Sequence, residues 1–168
     1  MSTTAQPVTV GATRTQAALV ATFTLVCLLL AAWAARPVPD PAARPDLASQ
    51  AADLIDQRRI ALGLGPLRSD PALTDLARDW ARNMATTGDL AHRQRLGAAA
   101  WDSGARFADI GENVAVGTSL TGIMDAFVAS RTHQENLDEP DWTSVGVGAY
   151  QDANGRVWVA VNFSDRTT

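Results

Sequence analysis

Near its C-terminal end the chain carries a hairpin that is apolar on both faces, and no other feature restricts the fold more. Val145, Val147 and Ala149 alternate with Gly146, Gly148 and Tyr150. Asn154-Gly155 is a tight-turn signal. On the return strand Val157, Val159, Val161 and Phe163 share one face, with Trp158 and Ala160 on the other. A sheet with one apolar face can leave the other in water. A sheet with two must be covered on both sides. The rest of the chain therefore has to supply helices for two layers.

Three helical patterns answer that need. The first runs from Leu47 to Leu62, with Asp46 as its cap and Leu47, Ala51, Leu54, Ile55, Arg58 and Leu62 in helical period. Gly63, Gly65 and Pro66 end it. The second starts at Asp70, a good N-cap, with Pro71 in the first helical position. Leu73, Leu76, Ala77, Trp80 and Met84 form its apolar stripe, which places Trp80 in the core, and Gly88 terminates it. The third spans about Ser119 to Ser130 and buries Ile123, Met124, Phe127 and Val128. Glu112 to Gly117 offers one more strand. Helices, strand, helix and hairpin in that order indicate an α+β fold, not alternating βαβ units.

Upstream, residues 17–35 are apolar and uncharged, flanked by Arg14 and Arg36. As a helix this run spans about 28 Å, close to the bilayer hydrocarbon thickness. It reads as a transmembrane anchor or a signal segment; Ala32-Trp33-Ala34 has the small-x-small form of a cleavage site. Either reading puts the remainder outside the cytoplasm, membrane-anchored or secreted. The organisation expected is a tail at 1–16, the apolar segment at 17–35, a proline-rich linker at 36–46 and a domain at 47–168.

All 18 acidic residues lie after residue 36, whereas Arg14 and Arg36 do not, so the domain is more acidic than the chain's formal charge of −4. An acidic domain without a basic run is a poor partner for nucleic acid. The one cysteine, Cys27, lies in the apolar segment, so the domain has no disulfide and must stand on core packing, as a monomer.

The only two histidines each sit in a stretch of site-like character. His92 follows the second helix in Gly88-Asp89-Leu90-Ala91-His92, and His133 follows the third in Ser130-Arg131-Thr132-His133. Between them Glu112 opens an apolar run in Gly111-Glu112-Asn113-Val114-Ala115. Two imidazoles and a carboxylate on three elements suit a metal site or acid/base chemistry. Glu112 has four readings: metal ligand, group that orients one of the histidines, general base for a metal-bound water, or brace of the adjacent loop. Ser130 stands three residues before His133 on a helix, yet no Gly-x-Ser-x-Gly elbow supports a serine nucleophile. Trp101 and Trp142 fall in loops, as anchors or as the wall of an apolar groove.

These pieces, in this order, resemble a CAP domain, the superfamily of cysteine-rich secretory proteins, antigen 5 and pathogenesis-related-one proteins. The resemblance rests on Gly-Leu-Gly-Pro-Leu (63–67), Asp70-Pro-Ala-Leu, Ala-Arg-Asp-Trp-Ala, His92, Gly-Glu-Asn-Val-Ala (111–115), Ser130-x-x-His133 and Val-Gly-Val-Gly (145–148). It implies a three-layer α-β-α sandwich with a small antiparallel sheet. It also implies a cleft lined by two histidines and two acidic residues. His92, Glu112 and His133 match three of those four; the fourth position falls on Ser130. The family's usual arginine after the second histidine is Gln134 here, and its frequent helix tryptophan is Phe127.

The resulting expectation is a binding module whose cleft takes a divalent cation such as zinc or a small ligand, with lipid binding on other surface. The alternatives are an extracellular metal-assisted hydrolase using His92, Glu112 and His133, and an interaction domain with a vestigial cleft.

Overall fold

The computed structural model describes residues 39–165. The apolar segment 17–35 and the tail before it lie outside the described residues. Among the described residues no helix is long and apolar enough to cross a membrane.

Ten elements follow in order: β1 (Ala42–Ala43), α1 (Pro45–Ala61), β2 (Arg68–Ser69), α2 (Pro71–Thr87), α3 (Leu96–Asp102), β3 (Ile110–Gly117), α4 (Leu120–Ala129), α5 (Arg131–Asp138), β4 (Ser144–Gln151) and β5 (Val157–Ser164). The long strands β4, β5 and β3 are antiparallel neighbours. Of the two short strands, both on the other edge of β4, β1 pairs antiparallel and β2 pairs parallel. The antiparallel sheet thus carries one short parallel addition.

The expected two-sided cover is present. On one face Val114, Trp158 and Ala160 pack under Ala77, Ala81 and Met84 of α2. The other face is larger. There Val145, Val147, Val157, Val159, Val161 and Phe163 meet Ala51 and Ile55 of α1, Ile123 and Phe127 of α4, and Leu137 of α5. The result is an α+β sandwich of three layers.

The α2 layer lies unusually close to the sheet because of two glycines. A Cβ on Gly146 would overlap the backbone of Leu73 and Thr74, and one on Gly148 the backbone of Ala77 and Arg78. The bare positions read from the Val-Gly-Val-Gly alternation are where a helix backbone rests directly on a strand.

Helix ends follow their local chemistry. Asp70 accepts from Leu73 N at 3.0 Å, and Ser119 accepts from Gly122 N at 3.2 Å. Gly88 ends α2 in the left-handed conformation, φ 77°.

Four expectations need correcting. First, α1 begins at Pro45, not Leu47, because proline fits the first turn. Asp46 is then inside the helix and pairs with Arg44 instead of capping. The end of the stretch read as linker is therefore structured. Second, Trp80 is only half-buried, at the margin of the α2 stripe. Third, Val128 is 37% exposed, on the outer side of α4. Fourth, the hairpin turn is a five-residue loop, 152–156, around Asp152. Asp152 accepts from Asn154 N, Arg156 N, Arg156 Nε and Trp158 Nε1.

Candidate functional site

The three residues singled out by sequence arrive from three layers and meet at β3, the edge strand. His92 comes from the loop after α2, Glu112 from β3 itself, and His133 from the first turn of α5 on the opposite side of the sheet.

The His92 loop is pinned to α2 on both sides. Trp80 Nε1 donates to Ala91 O at 2.8 Å. Arg93 lies over the Trp80 ring, 5.5 Å from its centroid, and its Nη1 donates to Leu76 O at 3.2 Å. Trp80 thus serves the loop, which accounts for its place at the stripe's margin.

Glu112 leaves β3 on the α2 face and is buried. Its Oε1 accepts from Arg93 N at 2.8 Å and stands 2.9 Å from His92 Nδ1. The Glu112 side chain is 3% exposed and that of His92 59%. The carboxylate is therefore internal and the imidazole faces solvent. An Nδ1–H donated to Glu112 leaves His92 Nε2 as the free ring nitrogen, facing solvent. Glu112 Oε2 is buried without a hydrogen-bond partner among the described residues.

His133 is placed by a one-residue turn. Ser130, at φ −94° and ψ 118°, is both the last boundary of α4 and the first of α5. The expected single helix followed by a loop is in fact two helices, and His133 lies inside the second. Its ring meets Phe127 edge-on at 5.1 Å between centroids. Burial, and then the neighbouring His92 charge, lowers its pKa below the ordinary imidazole value.

An asparagine pair fastens α5 to β3. Asn113 Nδ2 donates to His133 O at 2.9 Å. Asn136 Nδ2 donates to Asn113 Oδ1 at 2.8 Å and Glu112 O at 3.1 Å. A Cβ on Gly111 would come within 2.8 Å of Asn136 Oδ1 and 3.0 Å of Trp142, so glycine is what lets α5 approach. At the far end Arg59, 1% exposed, donates to Leu137 O at 3.1 Å, Glu139 O at 2.8 Å and Trp142 O at 3.3 Å. Arg58 Nε adds a bond to Asp138 at 2.6 Å.

The imidazoles of His92 and His133 are 6.3 Å apart between centroids and tilted by 43°. With metal–nitrogen bonds of about 2 Å, two imidazoles on a tetrahedral ion have centroids about 5 Å apart, and a spacing above about 6 Å is reached only with near-linear ligation. The pair therefore stands about 1 Å wider than tetrahedral ligation requires. Among the described residues no group of three or more His, Cys, Asp or Glu side chains is arranged to hold a metal ion. The donor set here is two imidazoles, with Glu112 behind one of them.

The remaining sequence candidates lie elsewhere. Ser130 Oγ is 3.4 Å from Thr132 Oγ1 and makes no hydrogen bond to His133 among the described residues. Trp142 is buried and stacks on Phe163 at 6.4 Å, an anchor and not a groove wall. Trp101 lies in α3, not in a loop as expected, and is 53% exposed, with Arg106 over its ring at 4.2 Å. Arg59, Arg93, Asn113 and Asn136 hold the site and were not read from sequence. Only Asn113 carried a signal, as the polar residue after Glu112 in an otherwise apolar run.

Comparison with known proteins agrees with this architecture. The profile of the Cysteine-rich secretory protein family, CAP, matches residues 52–163. An extracellular protein containing a SCP domain from Bacillus anthracis is similar in structure, with TM-score 0.66 at 23% identity, over 73% of this chain and 41% of that one. An outer surface protein from Borrelia burgdorferi gives TM-score 0.64 at 22% identity, over 73% of this chain and 94% of that one. A cysteine-rich secretory protein from Staphylococcus aureus gives 0.62 at 16%, over 78% and 41%. The chain thus spans under half the length of the Bacillus and Staphylococcus proteins. No curated protein matches the chain in sequence.

Proposed function

The chain belongs to the Cysteine-rich secretory protein (CAP) family, and from that premise we propose that it is an exported binding module whose cleft takes a divalent cation between His92 and His133. One observation carries the reading. Two imidazoles from opposite layers of the sandwich stand 6.3 Å apart, and one of them is backed by a buried carboxylate at 2.9 Å. A carboxylate behind a histidine is how proteins orient an imidazole toward a metal and raise its basicity.

In this reading His92 Nε2 and a ring nitrogen of His133 supply two ligands, and solvent or a ligand group completes the shell. Two protein ligands give a weak, exchangeable site, suited to zinc, nickel or cobalt and to a module that samples ions. Glu112 is the orienting group. Its Oε1 already accepts two bonds and its Oε2 is sealed from solvent. That arrangement favours bracing over proton abstraction from a bound water. Export is supported by the apolar segment at 17–35, and by the likeness to an extracellular Bacillus protein and a Borrelia outer surface protein.

Calorimetric titration of the purified protein with zinc and with cobalt at neutral pH tests the reading. Uptake of one ion per chain is expected, abolished in both His92→Ala and His133→Ala while the thermal transition of the apo protein persists. No uptake by the unsubstituted protein, or uptake indifferent to both substitutions, would overturn it.

A further inference from the structure

Three polar atoms buried beneath the cleft lack partners among the described residues: Glu112 Oε2, Asn162 Oδ1 and Asn162 Nδ2. They are not scattered. Asn162 is the direct partner of Glu112 in the β3–β5 ladder. Residues paired this way project to the same face, with Cβ atoms about 4.5–5.5 Å apart. Asn162 is 0% exposed, in a strand whose other neighbours on this face include Ala160 and Trp158. On its far side the ladder partner is Gly146, which offers no side chain, and the space there is filled by the backbone of Leu73 and Thr74. The Glu112 carboxylate is the one ionisable side chain beside it in the ladder.

We propose that Asn162 is a positioning residue of the cleft. Its Nδ2 reaches Glu112 Oε2 through one enclosed water, since the two side chains make no direct hydrogen bond, and so fixes the carboxylate that orients His92. The chemistry is complementary, since a carboxamide offers two N–H donors and Oε2 is an open acceptor. Buried polar groups are almost always satisfied, and three such atoms in one place suffice to hold a water where the direct bond does not close. The consequence runs outward. Oε1 is held by His92 Nδ1 and Arg93 N on the solvent side. A donor on Oε2 from the core side stops the carboxylate plane from turning, which keeps Nε2 of His92 as the outward nitrogen. The metal arm of this inference rests on the cation reading above; the tautomer arm does not.

The test measures the His92 tautomer by long-range proton–nitrogen NMR of the full chain at about pH 8, where imidazole is neutral. Cobalt affinity is measured alongside. Asn162→Leu keeps the branching and the number of heavy atoms and removes the donor. It should lose the Nδ1–H preference of His92 and weaken cobalt binding about 10- to 100-fold. Asn162→Ser, which retains a donor, should keep most of both. Val161→Ala, on the opposite face of the same strand, should lower the melting temperature and leave both readouts unchanged. Should Asn162→Leu fail to fold, Asn162→Ala is read in its place. A folded donor-less variant with an unaltered tautomer would overturn the proposal, as would a Val161→Ala effect of equal size. If the unsubstituted protein takes no metal, the cation reading fails, and the tautomer alone decides the role of Asn162.

Discussion

The Trp158 indole donates to Asp152 Oδ2 at 3.0 Å, and so ties the sheet interior to the hairpin loop that precedes it. Burial by itself would raise the Asp152 pKa. The bonds from Trp158, from Arg156 N and Nε, and from Asn154 N outweigh it and hold the carboxyl down to about 2. A depressed carboxyl contributes stability above its unfolded pKa, near 4, and loses it as pH falls through the folded value. Stability should therefore decline between about pH 4 and pH 2. In Asp152→Asn this decline should flatten, at a cost at neutral pH of about 1.5–3 kcal/mol for the charged hydrogen bonds removed. Urea melts across that pH range measure both.

His133 predicts a second pH dependence, closer to neutrality. Its pKa is lowered, through burial and then through the His92 charge. As pH falls through about 6.5 the unfolded chain takes up a proton there and the folded chain resists it, so stability drops with pH. His133→Gln should remove part of that slope. A slope identical in the two proteins would show that His133 titrates normally.

Trp80→Ala should separate packing from placement. A mid-stripe tryptophan would cost about 3–5 kcal/mol on truncation. Trp80 is half-buried and its indole and ring hold Ala91 and Arg93. The expected loss is accordingly smaller, about 1–2 kcal/mol. Amide exchange in residues 88–95 should accelerate far more than in β4 or β5. Equal acceleration throughout would return Trp80 to the core.

Much of this architecture was legible from sequence because it follows from periodicity and end chemistry. Asp70-Pro71, Ser119 and Gly88 carry the same meaning in any context, and alternating apolar strands require cover on both faces. The three cleft residues were legible as a set, since His92, Glu112 and His133 matched a family pattern in order and spacing. What holds them was not. Arg59 shares its helix stripe with Ala51 and Ile55, and nothing local shows that a buried guanidinium will meet carbonyls from residues 137, 139 and 142. Asn136 and Arg93 likewise owe their roles to partners from other layers. The helix end at Ser130 was read, but the helix that follows it, Arg131–Asp138, was not, because a one-residue turn leaves no glycine or proline to mark a new start.

Gly148→Ala isolates the contact between α2 and the sheet. The added methyl would overlap the backbone of Ala77 and Arg78, which cannot swing aside as a side chain would. The expected loss is at least about 3 kcal/mol, at the severe end for overpacking. Gly65→Ala, with no atom within 4 Å of the new carbon, should stay within about 0.5 kcal/mol. Equal effects in denaturant melts would mean that α2 can lift away.

That contact also decides where the cleft can give. Helix α2 is keyed to β4 at two places one turn apart, at Gly146 and at Gly148. Rotating it about its axis, or stepping it along the strand, drives backbone into backbone. On the opposite bank α5 is fastened by Asn113 at one end and Arg59 at the other. Any closure of the 6.3 Å between the imidazoles is therefore left to the short loop that carries His92. The two banks are unequal: α5 is the fixed side, and for the cation proposed above the approach of His92 would be set by how far that single loop can travel before Trp80 and Glu112 stop it.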